Sequence, residues 1–227
     1  MTGKTLLKWI EVGVFCSVVA LLTGCEMNEG RQAKVAKRAE NSLADTRSQL
    51  LRAEQQVDTT LTSMDRLAAE PHNLKRSYKA YAGEVSKTVR ESEQAQERAD
   101  HMKTQWHEYM ANWEKEANRL NSEQLRAGTT ERRQTVREDY DHLRDVANNT
   151  HAAYEPFLTQ LREIQRAISL DLTPAGVDAT KPAMETARQT GAQLKEQINA
   201  FIQELDRVAN AGVTQPTGTG TVAGSQP

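Results

Sequence analysis

Cysteine is nearly absent: the 227 residues hold two, Cys16 and Cys25. Cys16 falls in an apolar leader, so the chain beyond it keeps one thiol and no internal disulfide can form. Aromatics make up 5%, and there are 6 prolines. Ala, Glu, Gln and Arg dominate instead, which is the composition of long helices and not of a compact α/β enzyme. Charge is high, at 26% of residues, but neither sign prevails. From Cys25 onward 27 basic residues face 30 acidic ones, a net of −3, which argues against a nucleic-acid partner. No phosphate-binding glycine loop, Gly-x-Ser-x-Gly elbow or His-Glu-x-x-His pair occurs, so no catalytic class is indicated. Nor is there a long hydrophobic run. The one candidate, Val12 to Leu22, is too short to cross a bilayer as a mature helix.

That run comes after Lys4 and Lys8, with Glu11 at its head, and closes on Leu22-Thr23-Gly24-Cys25. A basic stretch, a short apolar segment and small residues are the layout of a secretory signal. The final tetrapeptide resembles the lipobox of bacterial lipoproteins. The resemblance implies cleavage between Gly24 and Cys25, removal of residues 1–24, and acylation of Cys25. Several acyl chains on one residue suffice for stable membrane anchoring. The expected location is therefore the bacterial envelope, on the periplasmic face. Glu26 stands where an aspartate would retain an enteric-type lipoprotein in the inner membrane, so the outer membrane is favoured. Residues 25–30 read as the lipidated end and a short linker.

The rest of the chain carries four runs of apolar residues with alternating three- and four-residue spacing, the pattern of coiled-coil seams. In the first, Ala36, Leu43, Leu50, Val57 and Met64 recur seven apart. The second carries Tyr78, Tyr81, Val85, Met102, Trp106, Tyr109 and Trp113. The third carries Val136, Tyr140, Leu143, Phe157, Leu161 and Ile168, and the fourth Met184, Leu194, Ile198, Phe201 and Leu205. Breaks at Glu70-Pro71-His72-Asn73, Ala127-Gly128-Thr129-Thr130 and Asp171–Gly176 separate them, with Gly128 as a C-cap and Thr129 or Thr130 as an N-cap. The helices are thus expected over residues 31–69, 74–126, 130–170 and 180–210, with Pro156 inside the third. Short turns make neighbours antiparallel. The fold class is all-α: an elongated antiparallel coiled coil or four-helix bundle over residues 31–211, with the long second helix as its spine. Antiparallel folding sets Leu43 and Leu50 opposite Ala99 and Ser92, and Trp106 opposite Thr150. Residues 212–227 have no periodicity and are expected to be disordered.

Few residues carry chemistry. Asp139-x-x-His142 is half of a di-iron motif and stands alone, so His142 is expected as a solvated flanking residue, with no metal and no cofactor. Glu116 is the one acid in the second seam and is expected half-exposed, paired with an arginine. Trp106, Tyr109 and Trp113 at helical spacing are expected in the core. Arg119, Arg126, Arg132, Arg133 and Arg137 oppose only Glu123 and Glu131 around the turn between the second and third helices. They form an expected surface patch for anionic lipid headgroups, since guanidinium groups suit phosphate.

Three elements point to a family. They are Trp113-Glu114-Lys115-Glu116 with Leu125-Arg126, then Asp139-Tyr140-Asp141-His142-Leu143, then Tyr154-Glu155-Pro156-Phe157-Leu158. In this order they resemble the domain of unknown function 2959, a family of coiled-coil bacterial proteins, over most of Arg31 to Leu205. The likeness implies the helical fold and lends no activity. The expected function is a lipid-anchored structural or adaptor coiled coil of the envelope, without catalytic activity. Its expected partners are membrane lipid through Cys25, together with another protein or a second copy along the seams. The alternative is a periplasmic bundle that binds a small molecule or metal.

Overall fold

The computed structural model describes residues 26–70 and 72–211. The Leu22–Cys25 ending and the 212–227 tail lie outside them. Among the described residues five helices occur in order: α1 (Glu26–Ala69), α2 (Leu74–Ala117), α3 (Glu123–Leu170), α4 (Pro174–Ala179) and α5 (Lys181–Asn210). The protein is an all-α antiparallel bundle. α1 packs on α2 and α5, and α3 packs on α2 and α5, so the four long helices form a closed ring. Their seam residues meet in its centre: Val57, Met64, Tyr81, Leu143, Phe157, Leu161, Leu194 and Ile198 are all essentially inaccessible. Each such aliphatic side chain contributes about 1.5–3 kcal/mol when taken from water. Among the described residues no helix is long and apolar enough to cross a membrane.

The α1–α2 hairpin has the expected register. The Thr46 hydroxyl donates to the Arg98 carbonyl at 3.3 Å, and the Gln49 amide to the Glu91 carboxylate at 2.7 Å. The seam here is partly polar, and its buried hydroxyls are satisfied: Thr60 and Thr88 lie 2.7 Å apart and each also reaches the carbonyl one turn back.

The second turn lies elsewhere than the sequence suggested. α2 ends at Ala117, and Asn118–Ser122 form the connection. The Ser122 side chain accepts from the Leu125 amide at 3.4 Å, and Glu123 places a carboxylate at the positive end of α3. Arg126 reaches back to the Leu120 carbonyl at 2.8 Å. Gly128 is interior to α3 and caps nothing. Thr129 and Thr130 donate backward to the carbonyls of Leu125 and Arg126 at 2.8 and 2.9 Å, which is helix-interior behaviour. The correction changes the partners. Trp106 stacks on Tyr140, ring centroids 4.5 Å apart, instead of facing Thr150. The Tyr81 hydroxyl donates to the Leu161 carbonyl at 2.9 Å. α2 is also not the spine: it has 44 residues, like α1, and α3 is longest at 48. α3 runs unbroken through Pro156.

Between α3 and α5 the chain forms a single-turn helix. Thr173 caps it by accepting from the Gly176 amide at 3.1 Å, and Pro174 occupies its first turn. A Cβ on Gly176 would come within 2.1 Å of the Asp171 carbonyl, so the close approach of the two strands of this loop requires glycine. α5 then returns along α1 through Arg188–Asp65, Lys195–Asp58 and Arg47–Asp206, each at 2.7 Å.

α5 is the shortest long helix, at 30 residues, or about 45 Å. Its last turn sits beside Asp139 of α3, through Arg207 at 2.8 Å. Beyond that level, among the described residues, only α1, α2 and α3 continue. Bulk replaces the missing helix: Trp106, Tyr109 and Tyr140 are buried there, and Trp113 packs edge-on against Tyr109 with centroids 5.6 Å apart. The first residues expected to be a linker, 26–30, are helical and belong to α1.

Candidate functional site

Two places gather polar chemistry. The first is on the flank between α3 and α5. Asp139 and His142 sit one turn apart on α3, and Glu204 and Arg207 one turn apart on α5, which brings all four together. Arg207 binds the Glu204 carboxylate at 2.6 Å and the Asp139 carboxylate at 2.8 Å. His142 Nε2 lies 3.7 Å from Glu204 Oε2. His142 is exposed, as the sequence suggested, but it has an acidic neighbour that the sequence did not reveal. Glu204 is buried, at 8% exposure. The Arg207 hydrogen bonds hold its carboxyl below the ordinary value of 4.5, against the effect of burial and with help from the charges of Arg207 and His142. An arginine wedged between two carboxylates occupies the position a cation would take. Among the described residues no group of three or more His, Cys, Asp or Glu side chains could hold a metal ion.

The second place is the three-helix end. The Arg38–Glu108 pair at 3.5 Å and a Gln32–Asn112 hydrogen bond fix α1 against α2. The antiparallel register therefore sets the first residue of α1 level with the 118–122 turn. The five arginines expected as a patch are all here, in unequal states. Arg119 binds Glu116 through two hydrogen bonds of 3.0 Å, so Glu116 is the half-buried, arginine-paired carboxylate expected of it. Arg126 is drawn inward to the Leu120 carbonyl and Glu123. Arg133 lies 3.6 Å from Glu114 and is only 23% exposed. Arg132 donates to the Ala211 carbonyl at 3.1 Å, and Arg137 is exposed. Much of the patch thus stitches the turn together. Leu125, in the first turn of α3, is 61% exposed among these cations.

This end also has a feature the seam pattern did not show. Gly30, Arg31, Lys34, Val35 and Arg38 of α1 line an open groove with Glu108 and Asn112 of α2. Its signal was the basic spacing Arg31, Lys34, Arg38, which marks one helix face.

The aromatic stripe is core. Burial pushes the Tyr109 and Tyr140 hydroxyls up to about 12, the first opposed by Arg132, the second by Arg144 and reinforced by Asp141.

The fold and its polar groups define a class: an elongated antiparallel helical bundle with a four-helix body and a basic, aromatic-filled three-helix end. The chain belongs to the family described as protein of unknown function (DUF2959), whose model matches residues 30–211. No curated protein and no solved structure matches it.

Proposed function

We propose that the protein is a lipid-anchored structural or adaptor coiled coil on the periplasmic face of the bacterial envelope, with the outer membrane favoured by Glu26, and that it is not an enzyme. The observation that carries this reading is Leu22-Thr23-Gly24-Cys25 at the close of a short apolar run. The adjoining helix supports it. α1 is already helical at Glu26, the first described residue, so an acyl group on the neighbouring Cys25 would join a stiff rod. The body supports a scaffold as well. Its seam side chains interdigitate along the four-helix zone, where the cavity lined by Leu50, Ala95, Ala99, Thr150, Tyr154 and Phe201 measures about 20 Å³, room for one water.

The test is metabolic labelling with a fatty acid in cells making the full chain. Wild type takes up label and runs as the shorter, processed form. Cys25→Ser takes up none and accumulates as precursor. Processing of Cys25→Ser at Gly24 together with no label in wild type refutes the anchor.

A further inference from the structure

We propose that the three-helix end is a docking surface for anionic phospholipid headgroups, centred on the α1 face of Arg31 and Lys34, with the exposed Leu125 of α3 at the same end inserted into the headgroup boundary. The orientation of this end toward a bilayer rests on the Cys25 anchor; the headgroup affinity does not.

Charge is the first argument. Beyond the Arg38–Glu108 pair lie residues 26–38 of α1 and 108–137 of α2, the turn and α3. They hold ten basic and seven acidic residues, a net of +3. The rest of the described chain holds 17 basic and 23 acidic, a net of −6. A rod of overall negative charge therefore has a positive end next to Cys25, with its acidic excess along the body. Bringing this end to an anionic surface is favourable, and laying the acidic body along that surface is not.

The distribution within the end is the second argument. Arg31 and Lys34 are exposed along the open α1–α2 groove, where phosphate oxygens can approach both. Arg126 and Arg133, by contrast, are engaged with Glu123, the Leu120 carbonyl and Glu114. The headgroup-binding cations are thus assigned to α1 more than to the arginines of the turn. Leu125 is the third argument. It is a large apolar side chain, 61% exposed, at the extreme tip of the same end. Amphipathic surfaces bury such residues at the headgroup boundary, with basic residues beside them.

Vesicle flotation tests this with the unlipidated chain from residue 26, which contains every described helix. The vesicles are phosphatidylcholine alone, or phosphatidylcholine mixed with phosphatidylglycerol, whose anionic headgroups give a negative surface potential. Wild type is expected to float with the anionic vesicles, to stay down with the neutral ones, and to be released by high salt. Each basic residue removed near such a surface lowers partitioning about fivefold. Arg31→Gln with Lys34→Gln should therefore lower it about twenty-five-fold, and Leu125→Ser should weaken it without changing its salt dependence. Lys75→Gln with Lys79→Gln, at the opposite end, should leave it unchanged. Circular dichroism confirms that each variant is folded. The proposal is overturned if wild type ignores anionic vesicles, if it binds neutral ones as well, or if folded Arg31→Gln/Lys34→Gln binds undiminished. Retention on soluble polyglutamate without vesicle binding also overturns it, in favour of an acidic protein partner. If fatty-acid labelling fails while anionic vesicle binding stands, the anchor falls and this surface remains.

Discussion

Replacing Gly128 by alanine gives opposite signs for the two positions of the second turn. In the structure Gly128 is exposed within α3, and a Cβ added to it meets nothing within 4 Å. Alanine there removes the conformational freedom of glycine from the unfolded chain and creates no clash. The expected gain is about 0.5–1 kcal/mol. Were Gly128 instead a left-handed C-cap ending α2, alanine would be strained and would cost about 1 kcal/mol. The two cases differ by roughly 2 kcal/mol, well beyond the error of a urea titration followed at 222 nm. On a chain of this size the gain corresponds to a melting temperature higher by about 1–4 °C. Two companions sharpen the result. Gly83 of α2 is equally open, so Gly83→Ala should give a similar increment, additive with the first because the sites are remote. Gly191 of α5 is not open: its Cβ would stand 3.0 Å from the Phe157 ring and 3.1 Å from Leu61. Overpacking costs about 1–3 kcal/mol, so Gly191→Ala should gain nothing or lose up to about 2 kcal/mol. A lower midpoint for Gly128→Ala would return the turn to residues 127–130 and undo the Trp106–Tyr140 register with it.

Two tyrosines should respond differently to loss of their hydroxyls. Tyr81 donates to the Leu161 carbonyl at 2.9 Å, so Tyr81→Phe should cost about 1 kcal/mol. The Tyr154 hydroxyl is buried without a hydrogen-bond partner among the described residues, so Tyr154→Phe should be neutral or stabilising in the same titration. Equal losses would refute the assignment. Glu204, held below 4.5 chiefly by Arg207, contributes stability that is present above about pH 4.5 and lost as pH falls through its lower folded value. Glu204→Gln should therefore flatten the acid limb of the stability curve. At neutral pH it should cost about 1–2 kcal/mol, the low end for a charged hydrogen bond because Arg207 is half-exposed. An unchanged acid limb would show that Glu204 does not titrate in this way.

The α1–α2 hairpin was legible because its turn is marked from both sides. Pro71 and Asn73 break the pattern where the seams of both helices run out, and the same fold line brings Thr46 to Arg98 and Gln49 to Glu91. The α2–α3 register was not legible, for a reason built into repeating seams. Trp106 was expected opposite Thr150 and stacks on Tyr140, ten residues away, a heptad plus three. A slide of that length carries seam position onto seam position, so periodicity is nearly blind to it. Only the turn chemistry decides, and two competing signals were present. Gly128 is conspicuous, whereas Asn118, Asn121 and Ser122 are modest singly and decisive together, because Ser122 and Arg126 satisfy the backbone groups that a helix end leaves open. The polar groups obey the same logic. Glu116 has its arginine three residues away in sequence, so its pairing could be read from spacing. Glu204 and Arg207 meet Asp139 and His142 only through the α3–α5 register. The basic end needed the most: Arg31 and Arg119 are remote in sequence and reach one end because α1 starts level with the turn. The α1 face offers exposed cations at that end, whereas Arg126 and Arg133 of the arginine-rich turn are already occupied by carboxylates and carbonyls close to them in space.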